Sequence, residues 1–150
     1  MITARHILQL KGNDVWSVSP DDSVFEALRR MADKGVGALM VLDKNDRLIG
    51  VISERDYARK VILHGKASRD TKVSDIMTSE VYTIHPEQTI DECMELMNAR
   101  KIRHLPVVED SGELIGVISI GDVVKNIIYR QRETIRQTEP QRPYPSFKDE

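Results

Sequence analysis

Leu48-Ile49-Gly50-Val51-Ile52-Ser53-Glu54-Arg55-Asp56 returns further along the chain as Leu114-Ile115-Gly116-Val117-Ile118-Ser119-Ile120-Gly121-Asp122. The offset is 66 residues from Leu48 to Leu114 and from Asp56 to Asp122 alike. The first six residues and the final aspartate are identical. A repeat at fixed offset reduces the fold problem to one unit and its copy. Each copy reads as a buried strand, a Ser-x-x-Asp step and the start of a helix.

Working outward, the punctuation repeats too. Val15-Trp16-Ser17-Val18 and Val81-Tyr82-Thr83-Ile84 are short extended stretches, followed by turns at Pro20 and Pro86. Ser23 with Glu26, and Thr89 with Glu92, have the capping-box spacing of a helix start. Val24, Leu28 and Met31 make one helical apolar face; Ile90, Met94 and Met97 make its copy. Ala38–Leu42 and Leu105–Val108 are buried strands. A short turn leads each into the motif strand, so the two strands pair antiparallel. Val15–Asp56 aligns with Val81–Asp122 without a gap.

A unit of roughly 60 residues buries too little apolar surface to stand alone. The expected fold class is therefore α/β (α+β), two β-α-β-β-α repeats packed about a pseudo-two-fold axis. Residues 1–70 hold an N-terminal segment and the first repeat. Residues 71–137 hold the second. A flexible tail is expected over 138–150, where Pro140, Pro143 and Pro145 exclude a helix.

Composition narrows the function. Of 150 residues, 40% are apolar and 31% charged, with a formal net charge of −2. That balance gives no global attraction to nucleic acid or anionic membrane. The basic residues Lys125, Arg130, Arg132 and Arg136 read as a solvated helix face, so no nucleic-acid partner is expected. No apolar run approaches the roughly 20 residues of a membrane span. One cysteine, Cys93, excludes an intramolecular disulfide and points to a reducing, cytoplasmic setting. His6, His64, His85 and His104 show no metal-ligand spacing with one another or with Cys93, so no metal is expected. There is no G-x-G-x-x-G or Walker loop. No spacing suggests a catalytic triad or a catalytic carboxylate pair, so no enzyme activity is expected.

The two motif stretches, together with Ile102-Arg103-His104-Leu105-Pro106-Val107-Val108 and Val73-Ser74-Asp75-Ile76-Met77-Thr78, resemble the CBS domain family, named after cystathionine β-synthase. A tandem pair of such domains is a Bateman module, and the resemblance spans about residues 7–130. It implies a regulatory module with clefts between the repeats that bind adenosine-containing ligands of the AMP, ATP or NAD type. It also implies a homodimer and a regulated protein partner that the sequence does not identify. With the two repeats accounting for most of the sequence, no catalytic domain is expected.

Each cleft of such a module joins the aspartate of one repeat to the middle strand of the other. The first cleft would hold Ser53, Arg55, Asp56, Thr78, Val81, Ile102, Arg103 and His104. The second would hold Gly12, Val15, Val36, Gly37, Ala38, Ile118, Ser119 and Asp122. A carboxylate accepts hydrogen bonds from both hydroxyls of a ribose, which suits Asp56 and Asp122. Arg103 and His104, against Gly37 and Ala38, imply that the first cleft takes the more charged nucleotide. A plainer reading makes each Ser-x-x-Asp a helix cap. On that reading the chain is a ligand-free dimerisation scaffold.

Overall fold

The structure is a computed structural model that describes residues 1–138. Its sheets carry the repeat to the residue. β2 (Ala38–Leu42) and β3 (Leu48–Ser53) pair antiparallel, Leu39 opposite Ile52 and Val41 opposite Gly50. β4 (His104–Val108) and β5 (Leu114–Ser119) pair in the same register, Leu105 opposite Ile118 and Val107 opposite Gly116. The irregularity between Val41 and Leu42 recurs between Val107 and Val108. Alternation along each strand sends Leu39 and Val41, or Leu105 and Val107, into a core.

One strand does not repeat. β1 (Ser17–Val18) lies parallel to β2, held by the Met40 N–H donating to the Trp16 carbonyl at 3.0 Å. The expected strand at Val81–Ile84 shrinks to a single parallel bridge from Ile84 to Val107. The residue matching Met40 is Pro106, which has no N–H to give the Tyr82 carbonyl. The bonds flanking the bridge survive, Ile84 N–H to Pro106 O at 2.9 Å and Val108 N–H to Ile84 O at 2.8 Å.

The helices start where capping chemistry places them. Ser23 accepts from the Glu26 N–H at 3.1 Å to open α2 (Val24–Lys34), and Gly35 ends it at φ 66°, the left-handed geometry glycine tolerates. The Glu26 carboxylate does not reach back to complete the box. It binds Arg29 and Arg30 instead. At α5 (Ile90–Arg100) Thr89 and Glu92 close the box in both directions. α3 (Glu54–Lys60) and α6 (Ile120–Thr138) follow β3 and β5 directly. Thr138 ends α6, and the rest of the expected tail, 139–150, lies outside the described residues.

The segment leading into each repeat packs on the other repeat. The stretch Ile7–Leu10, read from sequence only as apolar, belongs to α1 (Ala4–Lys11). The Ala4 and Arg5 N–H groups donate to Gln88 O and Pro86 O of the second repeat, each at 2.8 Å. Before the second repeat, α4 (Val73–Ile76) does the same to the first: Val73 N–H to Asp22 O at 2.9 Å, Ser74 N–H to Pro20 O at 3.0 Å. Ala4, Ile7 and Leu8 thus join the second core, with Ile84, Ile90, Cys93, Leu105 and Ile118. Val73 and Ile76 join the first, with Val18, Val24, Leu39 and Ile52. A sequence boundary near 70 therefore separates the repeats in order but not in packing. Cys93 is wholly buried, and desolvation pushes its thiol up to about 11, which keeps it protonated and inert.

Candidate functional site

Where β3 passes into α3, Ser53 and Asp56 form a reciprocal cap. The Asp56 N–H donates to Ser53 Oγ at 3.2 Å, and the Ser53 N–H donates to Asp56 Oδ2 at 3.0 Å. Ser119 and Asp122 repeat this at 3.2 and 2.9 Å. The plainer capping reading is thus structurally present in both halves. It uses only Oδ2 of each carboxylate. Asp56 Oδ1 faces the other way, accepting from Thr78 Oγ1 at 3.2 Å and pairing with Lys60 Nζ at 3.1 Å.

That second face of Asp56 belongs to a cavity of about 620 Å³, within the roughly 300–1,000 Å³ of ordinary small-molecule sites. The structure brings all eight residues of the expected first cleft to its wall: Ser53, Arg55, Asp56, Thr78, Val81, Ile102, Arg103 and His104. β3 and α3 of one repeat supply the carboxylate. The stretch entering β4 of the other supplies Ile102 to His104. The strand-like pairing of Thr78 with Val51, at 3.0 and 2.9 Å, sets the wall between them.

Five cations line the cavity, Arg55, Arg59, Lys60, Lys101 and Arg103, against the three carboxylates Glu54, Asp56 and Glu80. Lys60 is paired with Asp56, while Arg55, Arg59, Lys101 and Arg103 have no ion pair among the described residues. Arg55, Arg59, Lys101, Ile102 and Arg103 also line an adjoining depression, so the cationic wall continues past the cavity mouth. In a protein of net charge −2 this is a local field for an anion.

Burial holds His104 below its ordinary value of 6.5, with the charges of Lys11 and Arg103 acting in the same direction and Asp122 opposing them. The imidazole is neutral at pH 7. The unfolded chain takes up a proton near pH 6.5 and the folded chain only at lower pH, so stability is full above that value and falls as pH drops below it. Melting temperature is expected to decline from pH 7.5 to 5.5, and less steeply in His104→Asn. Equal slopes for the two proteins would remove His104 as the source.

The second expected set is placed differently. Ser119 and Asp122 are together, but the side chain that reaches Asp122 is Lys11, which sequence reasoning did not single out. Lys11 Nζ lies 2.7 Å from Asp122 Oδ2 and donates to the Val117 carbonyl at 2.9 Å. Desolvation pushes Asp122 up, but Lys11 and the Ser119 N–H outweigh it and hold the carboxyl below the usual range. Gly12 serves as the C-cap of α1 at φ 98°, its N–H bonded to Leu8 O at 2.8 Å. Ile118 is 0% exposed within the second core and offers no side-chain surface to a ligand. Gly37, expected in the second cleft, lines the first cavity, where its carbonyl accepts from the Glu54 N–H at 3.0 Å. Ala38 is buried opposite Ser53 in the sheet. Val15 and Val36 are half-buried.

Several further cavity residues escaped the sequence reading. Arg59 and Lys60 follow Arg55 and Asp56 by four residues, so helical spacing alone puts each pair on one face. Tyr82 was read only as a strand residue. Its hydroxyl donates to Glu80 at 2.8 Å, which raises its pKa, and Arg100 sits over its ring at 4.7 Å. Trp16 with Lys34, at 4.4 Å, is the repeat counterpart of that pair. Among the described residues no cluster of His, Cys, Asp and Glu is arranged to hold a metal ion, and no helix is long and apolar enough to cross a membrane.

This architecture, two sheet-and-helix repeats with exchanged leader segments around an inter-repeat cavity, is that of a paired-repeat domain. The CBS domain model matches residues 5–62 and 73–129. The chain belongs to the CBS domain family and carries two tandem copies. It is similar to a mitochondrial CBS domain-containing protein of Arabidopsis thaliana, 42% identical over 130 residues, which are 84% of this chain and 62% of that protein. Among solved structures it is similar to a protein with CBS domains from Burkholderia ambifaria, 47% identical, TM-score 0.82, over 86% of this chain and 96% of that one. A CBS domain protein from Pyrobaculum aerophilum complexed with AMP shares the fold at 24% identity and TM-score 0.74, over 85% of this chain and 99% of that one.

Proposed function

We propose that the chain is a regulatory module that binds an adenosine nucleotide of the AMP, ATP or NAD type in the cavity between Asp56 and Arg103. One observation carries this reading: a carboxylate, Asp56, on the wall of a cavity that five cations also line. Asp56 would accept the ribose hydroxyls, Arg103 and its neighbours would meet phosphate, and Val81, Ile102 and Tyr82 would flank the base. The Pyrobaculum relative's AMP supports the choice of ligand class. The assigned role is binding, with no turnover, in a cytoplasmic setting.

For the nucleotide to act as a signal it must favour one arrangement of the protein over another. The proposed arrangement is a homodimer read by a further protein. Val124, Ile128 and Ile135 form an exposed apolar stripe on α6, which suits pairing with a second copy. The same stripe favours the scaffold reading, so ligand response must separate the two.

A melting panel with adenosine, AMP, ATP and NAD does so. A ligand at about 100 times its dissociation constant adds about 2.7 kcal/mol. AMP and ATP are expected to raise the melting temperature of the wild type. In Arg103→Ala those shifts should shrink while the adenosine shift stays. Identical AMP shifts in both proteins would remove the phosphate role of Arg103. No shift with any compound, in nucleotide-free protein, would replace the nucleotide reading with the scaffold.

A further inference from the structure

Two hollows meet at one wall. The cavity of Asp56 and an adjoining depression of about 660 Å³ share five lining residues, Arg55, Arg59, Lys101, Ile102 and Arg103. Four of the five are cations, and no carboxylate lies among them. Glu54, Asp56 and Glu80 line the cavity only, and Glu95 lines the depression only. Arg55 and Arg59 are four residues apart on α3 of the first repeat, hence on one face. Lys101 and Arg103 come from the second repeat, between α5 and β4. The Arg55 guanidinium donates to the Lys101 carbonyl at 3.4 Å, which ties the two contributions together.

At the 66-residue offset, Arg55 matches Gly121, Lys101 matches Gly35 and Arg103 matches Gly37. Three positions that are glycine in one copy are thus cations in the other, and all three cations converge on this wall. Local structure does not favour two of them. Lys101 ends α5 at φ 54°, the left-handed geometry that Gly35 adopts at φ 66° without a side-chain penalty. Arg55 lies in the first turn of α3, the end of a helix that disfavours a positive charge. Neither has an ion pair among the described residues to offset the repulsion between them. Unfavourable choices gathered at one spot are the mark of a site, here for an anion that spans both hollows.

We propose that the cavity and the depression form one site, crossed at their shared wall by the phosphate chain of a nucleoside triphosphate. The inference rests on the nucleotide reading of the cavity and selects within it. A single phosphate neutralises part of the wall. A chain of three extends along it towards the depression and brings more charge to Arg55, Arg59 and Lys101. The module therefore responds to triphosphate in preference to monophosphate.

The test is a calorimetric titration of nucleotide-free wild type, Arg59→Ala and Lys101→Gly with AMP, ATP and inorganic tripolyphosphate, without added magnesium. Circular dichroism melts check folding. Lys101→Gly takes up the glycine geometry of the other repeat and is expected to melt no lower than wild type. Wild type is expected to bind ATP about tenfold or more tighter than AMP, the equal of one charge-assisted hydrogen bond. In each variant that ratio is expected to drop by about threefold or more. Tripolyphosphate is expected to bind more weakly than ATP, since it leaves Asp56 unused. Equal affinity of the wild type for AMP and ATP would overturn the inference and leave the nucleotide reading standing. So would an unchanged ratio in both folded variants. Tripolyphosphate binding as tightly as ATP would reduce the wall to a simple anion site and overturn it too. No binding of AMP or ATP to any of the proteins would remove the nucleotide reading itself, and this inference with it.

Discussion

Asp56→Ala is expected to weaken AMP binding by about a hundredfold or more. A hydrogen bond to a charged group contributes roughly 1.5–3 kcal/mol, and the carboxylate would hold two ribose hydroxyls. The residue is 8% exposed and its Oδ1 already sits in a polar arrangement with Thr78 and Lys60, so little reorganisation precedes binding. The same substitution removes the carboxylate half of the α3 capping box, the bond from the Ser53 N–H, which costs about 1 kcal/mol of fold stability, while Ser53 still accepts from the backbone N–H at 56. Titration of folded Asp56→Ala separates the two effects. A dissociation constant within threefold of wild type would mean that ribose is not held there.

Leu8→Ala is expected to destabilise the protein by about 2–5 kcal/mol, the range for a large buried side chain cut back to alanine. Leu8 lies on the leader helix of the first copy, yet its methyl groups pack over Gly116 of the second: a Cβ at that glycine would come within 2.6 Å of Leu8 Cδ2. The side chain is 3% exposed, in the cluster of Ile84, Ile90, Leu105 and Ile118. Urea unfolding measures the loss. A change below about 1 kcal/mol would show that the leader helix adds little to the second core.

These two residues also mark what the amino-acid order reveals and what it hides. Asp56 was legible because Leu-Ile-Gly-Val-Ile-Ser-x-x-Asp occurs twice. Strand register follows from alternation once the repeat is seen, and Leu39 opposite Ile52 recurs as Leu105 opposite Ile118. Leu8 was not legible as a second-core residue. An eight-residue helix is too short to declare itself by periodicity, and its partners lie some 80 to 115 residues away.

The eight residues expected in the first cleft line one cavity because they cluster in three short stretches, at 53–56, 78–81 and 102–104, while Arg59, Lys60 and Tyr82 on the same wall were missed. In the second set, Lys11 stands at the position of Met77 and reaches Asp122, Ile118 is buried in its core as Ile52 is in the other, and Gly37 lines the first cavity beside Glu54. Pro106 breaks symmetry within the sheet, because a proline replaces a donor and a strand becomes a single bridge. The capping reading and the ligand reading, posed as alternatives for Ser-x-x-Asp, proved compatible in geometry: Oδ2 of Asp56 caps the helix while Oδ1 stays at the cavity.

The claim that the first inter-repeat cavity takes an adenosine nucleotide is tested most directly by a crystal structure of the chain grown with saturating AMP. The account predicts density in the cavity, with both ribose hydroxyls within hydrogen-bond distance of the Asp56 carboxylate and the phosphate against Arg103. A cavity holding only water at saturating AMP, or AMP bound elsewhere on the chain, would contradict it.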